Sequence, residues 1–180
     1  MPLEVVREAL AVAMQAPSGS NSQGWHWLVL TDPGVRAGVA ELYRRSYLAY
    51  RGAKPEAGTA AEERMRASSD HLAEVMAQVP VLVIGAIWVG REGLPEGNQA
   101  GVWGSLLPAA WSFALALRAR GLGSAWTTLH LRYEREVAEL LGLPDNVRQG
   151  VLLPVAYTKG TDFKPGPRAD FDAVLHVNGW

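Results

Sequence analysis

The chain has 180 residues, 48% hydrophobic and 19% charged, a composition typical of globular proteins that form their own core. A formal net charge of −1 excludes an overall field that would attract nucleic acid or an anionic membrane. Cysteine is absent, which excludes disulfides, thiolate nucleophiles and cysteine-bound metals. The sequence shows no charged-then-apolar leader, and its longest apolar runs are too short to span a bilayer, so we expect a cytoplasmic protein.

Hydrophobic periodicity and turn residues predict helices and strands that alternate along a single domain, residues 1–180. Helices are predicted over residues 3–15, 35–50, 60–78, 106–120 and 133–141, and strands over 26–31, 81–89, 124–129 and 149–157. The unbroken apolar run 81–89 indicates a strand buried on both faces. Helix 106–120 is apolar nearly all round and places Pro108 in its first turn, which indicates a central buried helix. Residues 158–180 form a tail with a short strand predicted over 173–177.

A polar turn follows the first helix, and its residues suit a flat heteroaromatic ligand. Residues 16–25 read Ala-Pro-Ser-Gly-Ser-Asn-Ser-Gln-Gly-Trp. Such a turn offers backbone N–H groups, hydroxyls and an Asn amide that can both donate to and accept from the pyrimidine edge of a flavin. Glycine lets the backbone approach a planar ring closely. The same residue types are common in ordinary helix-to-strand turns, so the turn alone favours a purely structural interpretation.

Four stretches together resemble the nitroreductase family. The turn resembles that family's pattern of Ala-Pro-Ser, two variable positions and Asn-x-Gln-Pro-Trp, with Gly24 in place of the usual proline. Residues 105–110 resemble the start of the family's central helix, and 121–128 (Gly-Leu-Gly-Ser-Ala-Trp-Thr-Thr) resemble the turn and strand after it. Residues 153–157, with Pro167, Arg168 and Trp180, resemble the last strand and tail. The motifs follow the family's order over nearly the whole chain.

The resemblance implies an α+β, nitroreductase-like fold, in which helices flank a central, mostly antiparallel sheet and the tail, about 158–180, is exchanged in a homodimer. It implies FMN as the cofactor, bound where the two subunits meet. The turn residues implied to contact the flavin ring and ribityl chain are Pro17, Ser18, Gly19 and Asn21. Along the other edge, with backbone N–H groups near the reactive N5, the resemblance implies Trp126, Thr127 and Thr128. Arg168 would hold the phosphate in two-pronged fashion, and Lys164 is a weaker candidate.

Two departures from the family concern the phosphate and the central helix. Family members usually begin with an extra segment carrying an Arg pair that also binds the phosphate, whereas this sequence begins at the following helix. Either the start was assigned downstream, or phosphate binding relies on Arg168 and other cations. The other cations that could bind the phosphate are Arg44, Arg45, Arg51 and Lys54. The same residues would also suit a solvated helix end. Trp111-Ser112 stands where the family often has Gln-Asn.

The resemblance implies an enzyme that transfers hydride from NAD(P)H through FMN to a small oxidised acceptor, a nitroaromatic, a quinone or an enone. The flavin carries the chemistry, so no catalytic side chain is required. Loop 91–101 and the residues near Tyr47 and Tyr50 are expected to shape the acceptor pocket. Two alternatives stay open: a dehalogenase, dehydrogenase or flavin-fragmenting enzyme of the same fold, and a non-catalytic flavin-binding carrier.

Other cofactor and catalytic motifs are missing from the sequence. The histidines are His26, His71, His130 and His176; they form no His-x-x-His or Glu-x-x-His pair, so we expect no metal site. The sequence has no Walker loop, no Gly-x-Gly-x-x-Gly and no Gly-x-Ser-x-Gly, which makes a nicotinamide a transient reductant rather than a Rossmann-bound cofactor. His130 follows the predicted flavin-edge strand and is expected to be a structural histidine with hydrogen-bond partners.

Overall fold

The computed structural model describes residues 1–54 and 57–180. Within them, four strands form one sheet in the order β1-β2-β4-β3, and each neighbouring pair is antiparallel. In chain order the elements are α1 (Leu3–Ala13), β1 (Trp25–Leu30), α2 (Pro33–Gly52), α3 (Ala60–Val75), β2 (Val81–Trp88), α4 (Ala100–Arg118), β3 (Leu122–Ser124), α5 (Glu134–Leu141) and β4 (Val147–Tyr157). Short 3₁₀ turns cover Gly19–Asn21, Met76–Gln78 and Leu129–Tyr133. The predicted α+β architecture with a mostly antiparallel sheet is therefore confirmed.

The apolar strand β2 divides the core into two layers. Every residue of β2 from Val81 to Ile87 is buried, as its unbroken apolar sequence predicts. Since side chains alternate along a strand, Val83 packs with α1 and α4 on one face, whereas Leu82 and Ile84 pack with α2, α3 and α5 on the other. Both faces of this antiparallel sheet are thus covered by helices.

Local signals set the start of α2 and α3. Asp32 caps α2 by accepting a hydrogen bond from the Val35 N–H at 2.9 Å, and Pro33 occupies the first turn, where its missing N–H has no cost. Thr59 and Glu62 form a reciprocal capping box at the start of α3. The polar stretch 51–59, with its Gly, Pro and Lys residues, predicts a loop; α2 extends into it as far as Gly52, and residues 55 and 56 lie outside the described residues.

Helix α4 differs from its prediction in two ways. It begins at Ala100 rather than at residue 106, so Pro108 lies inside the helix and not in its first turn. An interior proline costs about 3 kcal/mol, and fully buried neighbours such as Leu106 and Ala109 hold the helix continuous through it. The helix is also not buried all round, because Trp111 and Leu115 are 58% and 52% exposed.

Length and composition alone would let α4 cross a membrane. Within the described residues it is the one helix that meets this criterion, with a mean hydropathy of 1.4. The apolar run in the sequence, residues 106–117, is shorter than helix α4, because the helix begins at Ala100. In this fold one face of α4 packs against α1 and the sheet through Phe113 and Leu117. Packing in the core therefore accounts for the apolar sequence of α4.

Two predicted strands are also corrected. The strand predicted over 124–129 is replaced by β3, which ends at Ser124; Thr127 then makes an isolated bridge to Leu152 before the 3₁₀ turn begins at Leu129. Gly121 supplies the left-handed conformation, φ 74°, that turns the chain from α4 into β3. The tail 158–180 contains no helix or strand, so the strand predicted over 173–177 is wrong. Its apolar side chains are exposed and lack the cover that would stabilise a strand.

Candidate functional site

The polar turn has an unusual backbone that its contacts hold in place. Ser20, Asn21 and Gln23 have φ values of 52°, 52° and 50°, in the left-handed region that residues other than glycine rarely adopt. Ser18 Oγ accepts a hydrogen bond from the Gln23 N–H at 3.0 Å, which closes the turn. The Gly19 N–H donates to Ser105 Oγ of α4 at 2.9 Å. Backbone strain of this kind concentrates at binding and catalytic sites, so the turn is a candidate site on structural grounds as well.

The groups that the turn presents are polar and accessible. Pro17, Gly19 and Asn21 are exposed, whereas Ser18 is half-buried. Gln23 Nε2 donates to Asn21 Oδ1 at 2.9 Å, so the Asn21 amide oxygen is engaged, whereas its NH₂ group can still donate to a ligand. The neighbouring cavity, of about 260 Å³, is lined by Gly19, Ser22, Ile87, Trp88, Asn98, Gly101, Val102 and Ser105. The turn thus forms one wall of an open cleft beside the N-terminal end of α4.

The second segment predicted to contact the flavin, residues 126–128, lies at the β3 edge of the sheet, whereas the turn lies at the β1 edge. Thr127 is buried, and both its N–H and its carbonyl bond to Leu152, at 3.1 and 2.9 Å. Its N–H is therefore engaged in the sheet within this chain, and the placement of Thr127 at the flavin edge stays a prediction. Trp126 and Thr128 are exposed, and the Thr128 N–H and hydroxyl form no hydrogen bond within residues 1–54 and 57–180.

An aromatic groove runs beside this second set. We define it by the side chains Tyr43, Tyr47, Tyr50, Trp126, Thr127 and Thr128, which line one cavity of about 440 Å³. An adjoining cavity of about 340 Å³ shares Tyr47, Tyr50 and Ser69 and extends to Lys54, Glu62 and Arg66. Tyr47 and Tyr50 thus share a cavity with residues 126–128, and their role in an acceptor pocket stays a prediction. Most of the predicted pocket loop lies elsewhere, because Val89 to Glu96 line a separate cavity of about 480 Å³.

A hydrogen-bond network forms the back of the groove. The Tyr47 hydroxyl donates to Asp70 Oδ1, and Arg51 lies 3.7 Å from the same carboxylate. Burial, followed by the hydrogen bond and charge of Asp70, raises the pKa of Tyr47 to about 12, so this phenol is neutral at physiological pH. The Lys54 ammonium lies 5.0 Å from the centroid of the Tyr50 ring. The groove therefore combines aromatic walls with a charged far end.

The cations proposed for the phosphate have other contacts in this chain. Arg168 lies in the exposed tail and donates from Nη1 to the carbonyl of Pro167 at 2.9 Å. Lys164 is exposed in the same tail. Each helper candidate has a partner: Arg44 pairs with Glu41, Arg45 lies over Tyr133, Arg51 pairs with Asp70 and Lys54 lies over Tyr50. The chain folded alone thus fits the ring of a flavin better than its phosphate.

The two predicted ring-binding sets are far apart within one chain. The turn precedes β1, whereas Thr127 pairs with β4 on the side where β3 lies. These positions differ by three strand spacings, about 14 Å across the sheet. The turn and the aromatic groove accordingly line different cavities. The turn offers amide, hydroxyl and N–H donors, and the groove offers aromatic walls.

His130 is a buried group that sequence reasoning described incorrectly. It is fully buried, and both its ring nitrogens lack a hydrogen-bond partner within the described residues, so the expectation of a satisfied histidine is wrong. Burial lowers the pKa of His130 to about 4, against the opposing charge of Glu134. No residue pattern around His130 signals this, since its environment comes from distant elements. In residues 1–54 and 57–180, no group of three or more acidic or histidine side chains is arranged to hold a metal.

Comparisons with a family model, with curated proteins and with solved structures agree with the fold described above. The family model described as "Nitroreductase family" matches residues 1–157. An iodotyrosine deiodinase from Thermotoga neapolitana is 32% identical over 161 residues, covering 87% of this chain and 77% of that protein. An iodotyrosine deiodinase from Drosophila melanogaster is 27% identical over 166 residues and also covers 87% of this chain. The chain spans only 55% of the length of the Drosophila protein.

Among solved structures, the crystal structure of oxidised iodotyrosine deiodinase bound to FMN and 3-iodo-L-tyrosine superposes with a TM-score of 0.74 and 25% identity. The match covers 100% of this chain and 90% of that one. The family uses FMN, which is the cofactor that the sequence predicts. The family match over residues 1–157 and the shared fold show that this chain belongs to the nitroreductase family.

Proposed function

We propose that this chain is an FMN-dependent oxidoreductase that acts on a small aromatic acceptor, with NAD(P)H as the electron donor, in the cytoplasm. The aromatic groove is the observation that carries the proposal. It places three tyrosine side chains beside Trp126 and Thr128, the exposed residues of the segment assigned to the flavin. Aromatic walls favour a flat substrate, and the polar groups at one edge orient it.

The site is completed by two subunits in this proposal. One subunit contributes Asn21 and the rest of the turn, and the other contributes segment 126–128, since these halves lie on different cavities of a single chain. The exposed apolar residues Trp111 and Leu115 of α4 supply a surface for the homodimer. The tail 158–180 reaches the partner and brings Arg168 and Lys164 to the phosphate. A guanidinium suits that role because it can form two parallel hydrogen bonds with phosphate oxygens.

The protein's part in the reaction is binding, orientation and exclusion of water. Bound FMN supplies the transfer of hydride or single electrons. The turn orients the polar edge of the ring through Asn21 and the surrounding backbone, and Trp126 and Thr128 limit the position of the acceptor. Tyr47 stays protonated and bonded to Asp70, so it shapes the groove without exchanging a proton near neutral pH.

A same-fold dehalogenase is the second candidate, and the relatives favour it. Both curated relatives described above are named iodotyrosine deiodinases. In such a reaction an aryl halide takes up two electrons and one proton, its carbon–halogen bond breaks, and halide leaves as the carbon gains hydrogen. The groove can hold an aromatic ring near segment 126–128, with a charged substituent directed toward Lys54, Glu62 and Arg66.

One experiment tests the proposal and separates the candidates. The purified protein is titrated with FMN, reduced without oxygen by NADH and by NADPH, and then mixed with a nitroaromatic, a quinone or an iodophenol. Rapid reoxidation by the first two supports the reductase, whereas halide release from the third supports the dehalogenase. Asn21→Ala should weaken FMN retention, and Gln78→Ala, which alters an exposed amide in the 3₁₀ turn after α3, controls for general effects. A protein that binds FMN but reacts with no acceptor is a carrier, and one that binds no FMN refutes the proposal.

A further inference from the structure

The tail leaves the core beside the end of helix α4. The N–H and the hydroxyl of Thr158 both donate to the Gly121 carbonyl, each at 3.2 Å, which holds the chain just after β4 against the turn that follows α4. Gly160 has φ 82°, in the left-handed region that favours glycine, and it bends the chain. The residues that follow this bend, 161–163, contact the last turn of α4.

Arg118, in that last turn, contacts the tail at two places. Its Nη2 donates to the Thr161 carbonyl at 3.5 Å, and its guanidinium carbon lies 4.3 Å from the centroid of the Phe163 ring. A guanidinium over an aromatic ring is attracted to the negative face of the ring, and its planar shape lets it stack there. Arg118 thus holds both the backbone and a side chain of the tail.

Phe163 is the last tail residue that is held by the core. Within the described part of the chain, the hydrogen bonds and ring contacts of residues 164–180 join one part of the tail to another, as where His176 stacks on Trp180. The contact of Arg118 with Phe163 is therefore the point from which Lys164 and Arg168 extend.

We propose that Arg118 is a positioning residue for the FMN phosphate: by holding Thr161 and Phe163, it fixes where the phosphate-binding part of the tail begins. This inference rests on the proposed function, in which the tail reaches the partner and Arg168 meets the phosphate. Arg118 acts through the tail and needs no contact with the cofactor.

The length of unattached chain sets the size of the effect. Arg168 lies five residues beyond Phe163, a segment that spans at most about 18 Å, but ten residues beyond Thr158, a segment that spans at most about 36 Å. Without Arg118, Thr158 becomes the last attached residue and the unattached segment doubles in length. Because effective concentration falls as about the −3/2 power of that length, Arg168 should be roughly threefold less available to the phosphate.

The test compares FMN with riboflavin, which lacks the phosphate, by fluorescence titration of the full chain. We expect Arg118→Ala to bind FMN roughly threefold more weakly and riboflavin with unchanged affinity. A general loss of stability would weaken the binding of both ligands alike. Arg120→Ala is the matched control, because Arg120 lies two positions further on and, within the described residues, bonds to Glu8 and to the Ala116 carbonyl rather than to the tail.

A second variant alters the same contact from the tail. Phe163→Leu removes the ring and keeps an apolar side chain, so it should also weaken FMN but not riboflavin, by the same factor as Arg118→Ala or a smaller one. Added to Arg118→Ala, it should lower FMN affinity no further. Should Arg118→Ala not fold, Phe163→Leu alone must show the FMN-specific loss.

Three results would overturn the inference. They are unchanged FMN affinity in Arg118→Ala, equal losses for FMN and riboflavin, and an FMN-specific loss that Phe163→Leu does not share, which would mean that Arg118 binds the phosphate itself. A wild-type protein that binds FMN no more tightly than riboflavin, or one that binds neither, overturns the proposed function as well. Loss of the FMN preference in Arg168→Ala but not in Arg118→Ala overturns the inference alone.

Discussion

The N–H of Gly19 donates to the hydroxyl of Ser105 at 2.9 Å, and this bond joins the polar turn to helix α4 across 86 positions of sequence. The Ser105 hydroxyl in turn donates to the Gly101 carbonyl at 2.7 Å, so it is held in one rotamer. A Cβ added at Gly19 would lie 3.5 Å from the Gly101 carbonyl oxygen, which shows how closely the two backbones approach. The turn thus has its shape imposed by the helix as well as by its own residues.

Replacement of Ser105 should loosen the turn. Ser105→Ala leaves the Gly19 N–H without its acceptor, so we expect a loss of about 1 kcal/mol in unfolding free energy and several-fold weaker FMN binding. Ser112→Ala, which removes an exposed hydroxyl bonded to the Pro108 carbonyl in the same helix, is the control. Denaturant unfolding and FMN titration measure the two effects. Equal FMN affinity in both variants would show that the turn does not depend on Ser105.

Local patterns were enough to predict most of the fold. The apolar run of β2 gave both its position and its burial, and the spacing of apolar residues gave the five helices found within the described residues. The start of α4 was missed although a signal exists, since the Asn98 side chain accepts a hydrogen bond from the Ala100 N–H at 2.8 Å. An Asn two residues before an apolar helix is a local start signal, because its side chain accepts from an N–H of the first turn that has no partner inside the helix.

The parts that could not be predicted depend on distant contacts. The bond between Ser105 and Gly19 joins residues that are 86 positions apart in sequence. No periodicity records such pairs, and the same holds for the unpartnered nitrogens of His130. The sequence also did not predict that Tyr47 and Tyr50 share a cavity with segment 126–128, because helix α2 and this segment are far apart in the chain. The assignments of individual flavin contacts remain predictions.

The phosphate assignment predicts a ligand-specific effect. If Arg168 holds the FMN phosphate, Arg168→Ala should weaken FMN binding roughly ten- to a hundredfold, because a charge-assisted hydrogen bond is lost. Riboflavin lacks the phosphate, so its affinity should be nearly unchanged in the same variant. Arg132→Ala removes another cation and controls for the general change in charge. Equal losses for FMN and riboflavin would place Arg168 away from the phosphate.

His130 predicts a pH dependence of stability. Because burial lowers the folded pKa of His130 to about 4, from the usual value of about 6.5 for histidine, the unfolded chain takes up the proton first as pH falls. The stabilisation is therefore complete above about pH 6.5 and is lost progressively toward pH 4, by up to about 3 kcal/mol. His130→Leu removes the titrating group, so its unfolding free energy should vary less over this window. A wild-type protein with the same pH profile as the variant would contradict the prediction.

The exposed face of α4 predicts the assembly state. Trp111 and Leu115 lie one helical turn apart on the same face and are both more than half exposed, so a charge placed there should prevent association of two copies. We expect Trp111→Glu to sediment as a monomer in analytical ultracentrifugation, whereas the wild type sediments as a dimer. Met65→Glu is the control, because Met65 is similarly exposed but lies on α3, which belongs to the opposite layer. FMN affinity should decrease when the dimer is lost, since each half of the proposed site comes from a different subunit. A monomer that retains FMN at wild-type affinity would place the whole site within one chain.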